Sequence, residues 1–294
     1  MTDITLTRPA SQTLANKRQR RYPRFSQIGR HVLLTVTCLL VLVPIAYLLL
    51  ASFKSVQDFF DRPYGLPTKW EWQNYVRAWH EANVSVTLIN SIIVTSAAVA
   101  LSTFLAAFAS YGLSQRDKRL TATLYVLFAS GMLIPVQMTV LPLFILLRQL
   151  GLSGTLFSLI FPYAALGLPL AILILVPFFA TLPSDLAAAA RIDGANEWQV
   201  FWRVMLPLVR PALASVMILN GVWMWNEFFI PLIIAIKPAT QTLPVGIMAF
   251  VGVYSTEWGL VFASVVVSAL PVVIAYVLLT RQFVAGISAG AIKG

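Results

Sequence analysis

The sequence predicts an all-α integral membrane protein with six transmembrane helices. This prediction rests on the composition, because 59% of the 294 residues are hydrophobic and only 11% are charged. A soluble domain carries about 25% charged residues, and a mean hydropathy of +0.80 means more apolar surface than a globule of this length can hide from water. The composition excludes an ordinary soluble enzyme, a secreted domain and a disordered chain.

Six long apolar stretches account for this composition. A helix needs about 20 apolar residues to cross about 30 Å of hydrocarbon, and each stretch reaches that length. Glu227 is the one charged residue within them. The predicted spans are residues 32–53, 87–112, 121–147, 157–182, 211–236 and 259–280.

The distribution of basic residues predicts the orientation. Six spans place both termini on one side, and fifteen of the 21 Lys and Arg residues lie on that side. Because Lys and Arg collect in cytoplasmic segments, both termini are predicted to be cytoplasmic, and the net charge of +10 needs no nucleic-acid partner. The predicted parts are a basic cytoplasmic tail (1–30), a six-span domain (31–283) with a cytoplasmic loop (183–210), and a cytoplasmic C-terminal tail (284–294).

The sequence predicts neither a metal site nor a cofactor site. Cys38 is the one cysteine, so it forms no intrachain disulfide and no thiolate cluster, and His31 and His80 lie far apart. The chain also lacks the GxxxxGK[ST] phosphate loop, so it supplies no ATP site of that type.

A stripe of small residues marks one face of the second span. Ala98, Ser102, Ala106 and Ser110 recur at a spacing of four, which places them on the same side of a helix. Small residues let helix backbones approach closely in a membrane. The stripe is therefore predicted to be a helix-packing face.

The fifth span carries the richest polar chemistry. Asn220, Trp223 and Glu227 follow the spacing i, i+3, i+7 of a single helical face, with Asn226 beside them. A carboxylate within a span usually faces a bundle interior or a water-filled cavity, and an aromatic ring with amide and carboxylate groups suits a sugar. The alternative interpretation is a tryptophan belt at the membrane interface, with the glutamate near the surface.

The loop 183–210 is predicted to form two short helices. Ser184 or Thr181 is expected to cap the first helix, and Gly194 to end it in a left-handed conformation. Asn196 is expected to cap the second helix, which carries Phe201. A slim helix ending in a tight turn fits a groove on another protein; an amphipathic hairpin on the membrane surface is the alternative.

This loop resembles the EAA loop of ABC importer permeases. The pattern EAAxxDGAxxxxxFxxxxLPLxxP matches from Ala189 through Pro211, with Ala188 in place of its first glutamate. Trp225–Phe228 resembles the fifth-span signature of the carbohydrate branch, and Val284–Gly294 its C-terminus. With its six spans, the chain resembles MalG-type permease subunits of carbohydrate importers, and this implies the MetI/MalG-like permease fold.

The resemblance implies a transport subunit of a bacterial inner membrane, surrounded by lipid, that is not itself an enzyme. Its implied partners are a MalF-like second permease in a heterodimer, two ATPase subunits that hold ATP and Mg, an extracytoplasmic solute-binding protein and a sugar. The residues expected to couple to the ATPase are Ala188, Ala189, Ala190, Arg191, Asp193, Gly194, Ala195, Phe201, Pro207 and Pro211. The residues expected to line the substrate pathway are Asn220, Trp223, Asn226 and Glu227.

Several other functions stay open at this point. An importer of glycerol phosphate or of another polyol fits the same pattern, although the spans contain no Lys or Arg to hold a phosphate, which favours a neutral di- or oligosaccharide. A membrane-embedded enzyme would need a nucleophile and a base on facing spans, and the sequence suggests no such pair. A membrane scaffold would explain the loop but not the polar fifth span.

Overall fold

The computed structural model describes residues 24–81, 83–252 and 256–291, and these residues are mostly helical. The first 23 residues of the predicted basic tail and the last three of the predicted C-terminal tail lie outside the described residues. The helices are α1 (Arg24–Ala51), α2 (Val56–Asp61), α3 (Gln73–Glu81), α4 (Val84–Ser114), α5 (Lys118–Gly131), α6 (Val136–Gln149), α7 (Phe157–Ala180), α8 (Ser184–Ile192), α9 (Glu197–Gln199), a π-helical turn (Val200–Met205), α10 (Leu206–Leu208), α11 (Arg210–Asn226), α12 (Phe229–Ile234), α13 (Leu243–Ile247) between two 3₁₀ turns (Pro238–Thr240 and Met248–Phe250), and α14 (Trp258–Ala291).

The predicted all-helical membrane architecture is confirmed. Four helical segments among the described residues are long and apolar enough to cross a membrane: Ile28–Ala51, Val84–Ser114, Phe157–Ala180 and Trp258–Val277. Two bent helix pairs meet the same test together, Lys118–Gly131 with Val136–Gln149 and Glu197–Leu208 with Arg210–Asn226. Counting each pair as one span gives six, the predicted number, although the second pair includes part of the predicted loop 183–210. α4 and α7 begin and end within one turn of the predicted second and fourth spans, whereas α14 continues beyond the predicted sixth span to Ala291.

The predicted third span, 121–147, is not one continuous helix. α5 ends at Gly131, α6 begins at Val136, and the two helices meet at 92°. Pro135 disfavours helical backbone at the residue before it. The end of α5 tightens accordingly, with Leu133 N donating to Ser130 O at 3.0 Å. This segment is therefore a broken span or a re-entrant loop.

The predicted fifth span, 211–236, is also broken. α11 ends at Asn226, and the next residue, Glu227, is extended with φ −68° and ψ 124°. The short helix α12 then covers Phe229–Ile234. At its other end, α11 forms a bend of 77° with the helical segment Glu197–Leu208.

The chain divides into two compact units, Met1–Tyr47 and Leu48–Gly294. Most of α1 belongs to the first unit and contains Pro44. Its large apolar side chains, including Leu33 and Leu40, are exposed. Such a surface on a helix of spanning length is suited to lipid.

In the second unit, α4 packs closely along α7. The prediction that the small-residue stripe of α4 is a packing face is confirmed, because Ala98, Ser102, Ala106 and Ser110 are all fully buried. Small side chains bring the two backbones close enough for extensive van der Waals contact, which is the main source of helix association in lipid.

Asn220 ties α11 to this helix pair. Its Nδ2 donates to Gly167 O of α7 at 3.1 Å and to Ser102 Oγ of α4 at 3.4 Å. The approach requires a glycine, because a Cβ at residue 167 would lie 2.9 Å from Asn220 Nδ2 and 2.8 Å from Met224 Cε. α4, α7 and α11 therefore form a three-helix core around a buried amide.

A hydroxyl from α5 compensates for a proline in α7. Pro177 has no N–H, so the carbonyl four residues earlier, Leu173 O, loses its helical donor. Tyr125 OH donates to this oxygen at 3.4 Å. Neighbouring helices commonly satisfy carbonyls freed by proline in this way, and the bond fixes α5 beside α7.

The segment between α1 and α4 is organised by buried polar side chains. Asn74 Nδ2 donates to Ser52 O at 2.9 Å and to Lys54 O at 3.0 Å. The side chain of Lys54 is itself buried, and its Nζ donates to the carbonyls of Arg62 and Pro63. These bonds hold α2 and α3 close to the end of α1 at Ala51.

The Gly167 contact yields a stability prediction. Replacing Gly167 with valine should lower the thermal unfolding midpoint of the purified, detergent-solubilised protein, because overpacking at a tight contact costs about 1–3 kcal/mol. Gly112→Val is the matched control, since a Cβ there meets nothing within 4 Å. Equal midpoints for the two variants would contradict a close three-helix contact.

Candidate functional site

The 183–210 loop begins with α8, and the Gly194 turn ends that helix. Gly194 has φ +86°, as the sequence predicts. Gly194 N donates to Arg191 O, and Ala195 N donates to Ala190 O, both at 3.0 Å. This pair of bonds is the Schellman arrangement that satisfies the last carbonyls of a helix. α8 therefore stops sharply and the chain reverses.

The N-termini of the two loop helices differ in how they are capped. Asn196 caps α9 as predicted: its Oδ1 accepts from Gln199 N, and Gln199 Oε1 accepts from Asn196 N, both at 2.9 Å. The predicted cap of α8 by Ser184 or Thr181 is wrong. Pro183 occupies the cap position and no side chain caps the helix, because Thr181 Oγ1 donates back to Phe178 O.

The predicted coupling residues divide into an exposed and a buried set. On and after α8, Ala188, Ala189, Arg191, Asp193 and Gly194 are exposed. The structure adds Ile192, which the sequence reasoning missed and which is 85% exposed. Asp185, Ala188, Ala189 and Ile192 follow the spacing i, i+3, i+4, i+7 of one helical face, so the sequence could have identified Ile192 as part of the exposed face. The remaining coupling residues, Ala190, Ala195, Pro207 and Pro211, are half-buried.

Phe201 belongs to the interior and forms the base of the loop. It is 1% exposed and packs in one apolar cluster with residues of α4 and α7. Its ring centroid lies 5.5 Å from that of Tyr111 and 5.6 Å from that of Phe108, both on α4. Phe201 therefore attaches the loop to the helix bundle instead of facing a partner.

The segment that carries Phe201 is π-helical. Leu206 N donates to Phe201 O, five residues back, at the end of the Val200–Met205 turn. Val200, Phe201 and Met205 are buried, whereas Trp202 is 41% exposed. π-Helical turns are rare and are frequent at functional sites. Here the turn directs three large apolar side chains toward the bundle.

Arg191 forms an ion pair within the loop. Its Nε lies 2.6 Å from Glu197 Oε1 and its Nη2 lies 3.1 Å from Glu197 Oε2, a bidentate pair across the Gly194 turn. Hydrogen bonding to the guanidinium lowers the pKa of the Glu197 carboxyl below its ordinary value. The pair therefore stabilises the folded loop at neutral pH, and this stabilisation is lost as the pH falls through the lowered pKa.

The predicted pathway residues do not share one helical face. α11 ends at Asn226, so Glu227 leaves the i, i+7 position that the sequence suggested. Its Oε1 instead accepts from Phe229 N at 2.8 Å and from Ile230 N at 3.1 Å, which caps α12. Asn220 is buried in the helix core.

Trp223 and Asn226 are the exposed members of this set. Trp223 is 36% exposed, and its ring centroid lies 5.9 Å from that of the buried Tyr163 on α7. Asn226 is exposed, with its Nδ2 donating to Val222 O at 2.7 Å. An aromatic face and an amide are thus the groups at this end of α11 that a solute could reach.

The second unit is thus a helical bundle on which the loop 183–210 is seated, with α8 exposed. Residues 98–287 match the family described as binding-protein-dependent transport system inner membrane component. The diacetylchitobiose uptake system permease protein NgcG of Streptomyces coelicolor is 35% identical over 92% of this chain and 90% of its own length. The probable starch degradation products transport system permease protein AmyC of Thermoanaerobacterium thermosulfurigenes is 31% identical over 88% of this chain and 94% of its own length.

A solved structure gives the same result. The crystal structure of a bacterial ABC transporter involved in the import of the acidic polysaccharide alginate matches with a TM-score of 0.76 and 26% identity, over 90% of this chain and 98% of that chain. The chain belongs to the family of binding-protein-dependent transport system inner membrane components. This confirms its resemblance to MalG-type permeases and the permease fold, and it makes the chain a transport subunit of the membrane.

The buried base of the loop yields a second prediction. Phe201→Ala should lower the thermal unfolding midpoint of the purified protein strongly, because truncating a buried phenylalanine costs about 3–5 kcal/mol. Trp198→Ala is the control, since Trp198 lies in the same loop but is 54% exposed. If the two variants unfold at the same temperature, Phe201 is not the residue that attaches the loop.

Proposed function

We propose that this chain is the MalG-like permease subunit of an ATP-driven importer of a di- or oligosaccharide. It pairs with a MalF-like permease, the two permeases bind two ATPase subunits on the cytoplasmic side, and an extracytoplasmic solute-binding protein delivers the sugar. In this arrangement both termini are cytoplasmic. The observation that carries the proposal is the 183–210 loop, which presents an exposed helix, α8, on a base that Phe201 buries in the bundle.

The chemistry of the exposed face indicates the surface that would receive it. Ile192, at 85% exposure, offers an apolar side chain, and Asp185 and Asp193 offer carboxylates on either side of it. The charge of Arg191 is matched by Glu197. A groove with an apolar floor and a basic rim on the ATPase fits this face. Ala188 contributes only a methyl group where the family pattern has a glutamate.

Energy must reach the bundle from the partner. The sequence holds no GxxxxGK[ST] loop, so ATP and Mg belong to the ATPase subunits. Movement of the docked α8 would pass to α4 and α7 through the apolar cluster around Phe201. Because packed interfaces shift between discrete arrangements rather than deform continuously, such a movement can rock the spans.

The names of similar proteins support a carbohydrate substrate. Similar permeases are named for the uptake of diacetylchitobiose and for the probable transport of starch degradation products, and the similar solved transporter is involved in the import of alginate. Trp223 would take the C–H face of a sugar ring, and Asn226 would bond a hydroxyl. Asn220 and Glu227 would position this surface without contacting the sugar. Asn220 does so through its bond to Gly167 O in the helix core, and Glu227 by capping α12.

Detachment of the ATPase tests the loop. Asp193→Arg, which reverses a charge on the exposed face, and Gly194→Asp, which strains the left-handed turn, should each reduce co-purification of the ATPase and abolish sugar uptake. Both chains should still reach the membrane at normal levels. Leu208→Ala is the control, being exposed in the same loop but outside α8. Normal uptake by both variants would refute docking through α8.

Uptake kinetics test the pathway. Trp223→Ala should lower sugar uptake by about tenfold, the effect of losing an interaction worth about 1.4 kcal/mol, while the complex stays assembled. Glu227→Gln should reduce uptake less, because an amide oxygen can still cap α12. Leu219→Ala, a similarly exposed position of α11, serves as the control. Wild-type kinetics in Trp223→Ala would assign Trp223 to the membrane interface instead.

A further inference from the structure

Three polar side chains from three helices meet at the C-terminal end of α8. Tyr111 belongs to the last part of α4, Arg191 to the last turn of α8, and Glu197 opens α9. Glu197 is the shared acceptor: it holds the Arg191 guanidinium in a bidentate pair, and its Oε2 accepts a hydrogen bond from Tyr111 OH at 3.3 Å. The transport function described above assigns no role to Tyr111 or Glu197.

The position of Tyr111 is fixed by the bundle. The side chain is 6% exposed, and its ring centroid lies 5.9 Å from that of Phe179 on α7 and 5.5 Å from that of Phe201. It follows Ser110, the last member of the fully buried stripe of α4. The hydroxyl is therefore a rigid point of the spanning helices at the base of the loop.

α8 has little else to fix its direction. Its one fully buried side chain is Ala187, a single methyl group, and Ala190 is half-buried. The Gly194 turn gives no support, since a Cβ there would find nothing within 4 Å. Small apolar contacts set a distance between helices but hardly an angle, whereas hydrogen bonds to charged groups are directional. The angle of α8 therefore depends on the polar contacts at its C-terminal end.

We propose that Tyr111, Glu197 and Arg191 form a bracket that holds α8 at a fixed angle to α4, so that force on the coupling helix moves the second span. This inference rests on the proposed function, and it makes all three residues positioning residues. Arg191, which the sequence pattern grouped with the docking residues, acts within this chain instead of on the ATPase.

The test measures sugar transported per ATP hydrolysed in proteoliposomes that contain the complete importer with its binding protein. Tyr111→Phe and Glu197→Gln should leave the ATPase subunits bound but lower this ratio about fivefold, the effect of losing one hydrogen bond of typical net strength. Thr123→Val is the control, because it removes an exposed hydroxyl of α5 that bonds Arg119 O of its own helix. Its ratio should equal that of the unmodified complex.

A charge exchange separates positioning from general stability. Arg191→Glu and Glu197→Arg should each lower the ratio, and the double variant, which restores the ion pair with its polarity reversed, should recover most of it. The bracket is refuted if Tyr111→Phe and Glu197→Gln transport normally, if the double variant is no better than the single ones, or if the single variants lose the ATPase. Should the unmodified chain bind no ATPase at all, the proposed function itself fails, and the two failures are thus distinguished.

Discussion

The close contact between α4 and α7 is the constraint on which the rest of the second unit depends. In lipid no hydrophobic force brings two apolar helices together, so they must gain from packing and from hydrogen bonds. The fully buried small residues of α4 allow close packing, and Asn220, reaching Gly167 O, adds α11 to the pair. α5 is joined to α7 by Tyr125, and the loop 183–210 is seated on the same pair by Phe201.

The sequence predicted where the helices lie better than it predicted where they are interrupted. Apolar length alone located α4 and α7, because uninterrupted hydrophobic segments of this size have few other structures available. Length could not reveal the 92° break before Pro135, since prolines also lie within the continuous helix α7. Tertiary contacts contribute to the difference: within α7, Tyr125 of a neighbouring helix satisfies the carbonyl of Leu173 that Pro177 leaves free.

The candidate site also combines features that the sequence predicts with features that only the structure reveals. Gly194 and Asn196 were predictable because left-handed turns and helix caps are decided within a few residues. The roles of Phe201 and Arg191 were not, since the family pattern identifies the loop without telling which side chains face inward. Glu197 carried one unused signal, a charge opposite to that of Arg191 across a glycine turn. Glu227 misled for a related reason, because a carboxylate beside free N–H groups can begin a new helix.

The π-helical turn has a consequence for how this loop tolerates change in length. In an α-helix each residue advances the direction of the side chains by about 100°. Removing one residue between Val200 and Met205 would let the turn relax to α-helical geometry and rotate everything before it relative to α11. The exposed face of α8 would then point in a different direction although each of its own residues was unchanged. The direction in which α8 faces thus depends on the number of residues in a segment whose buried side chains, Val200, Phe201 and Met205, pack into the bundle.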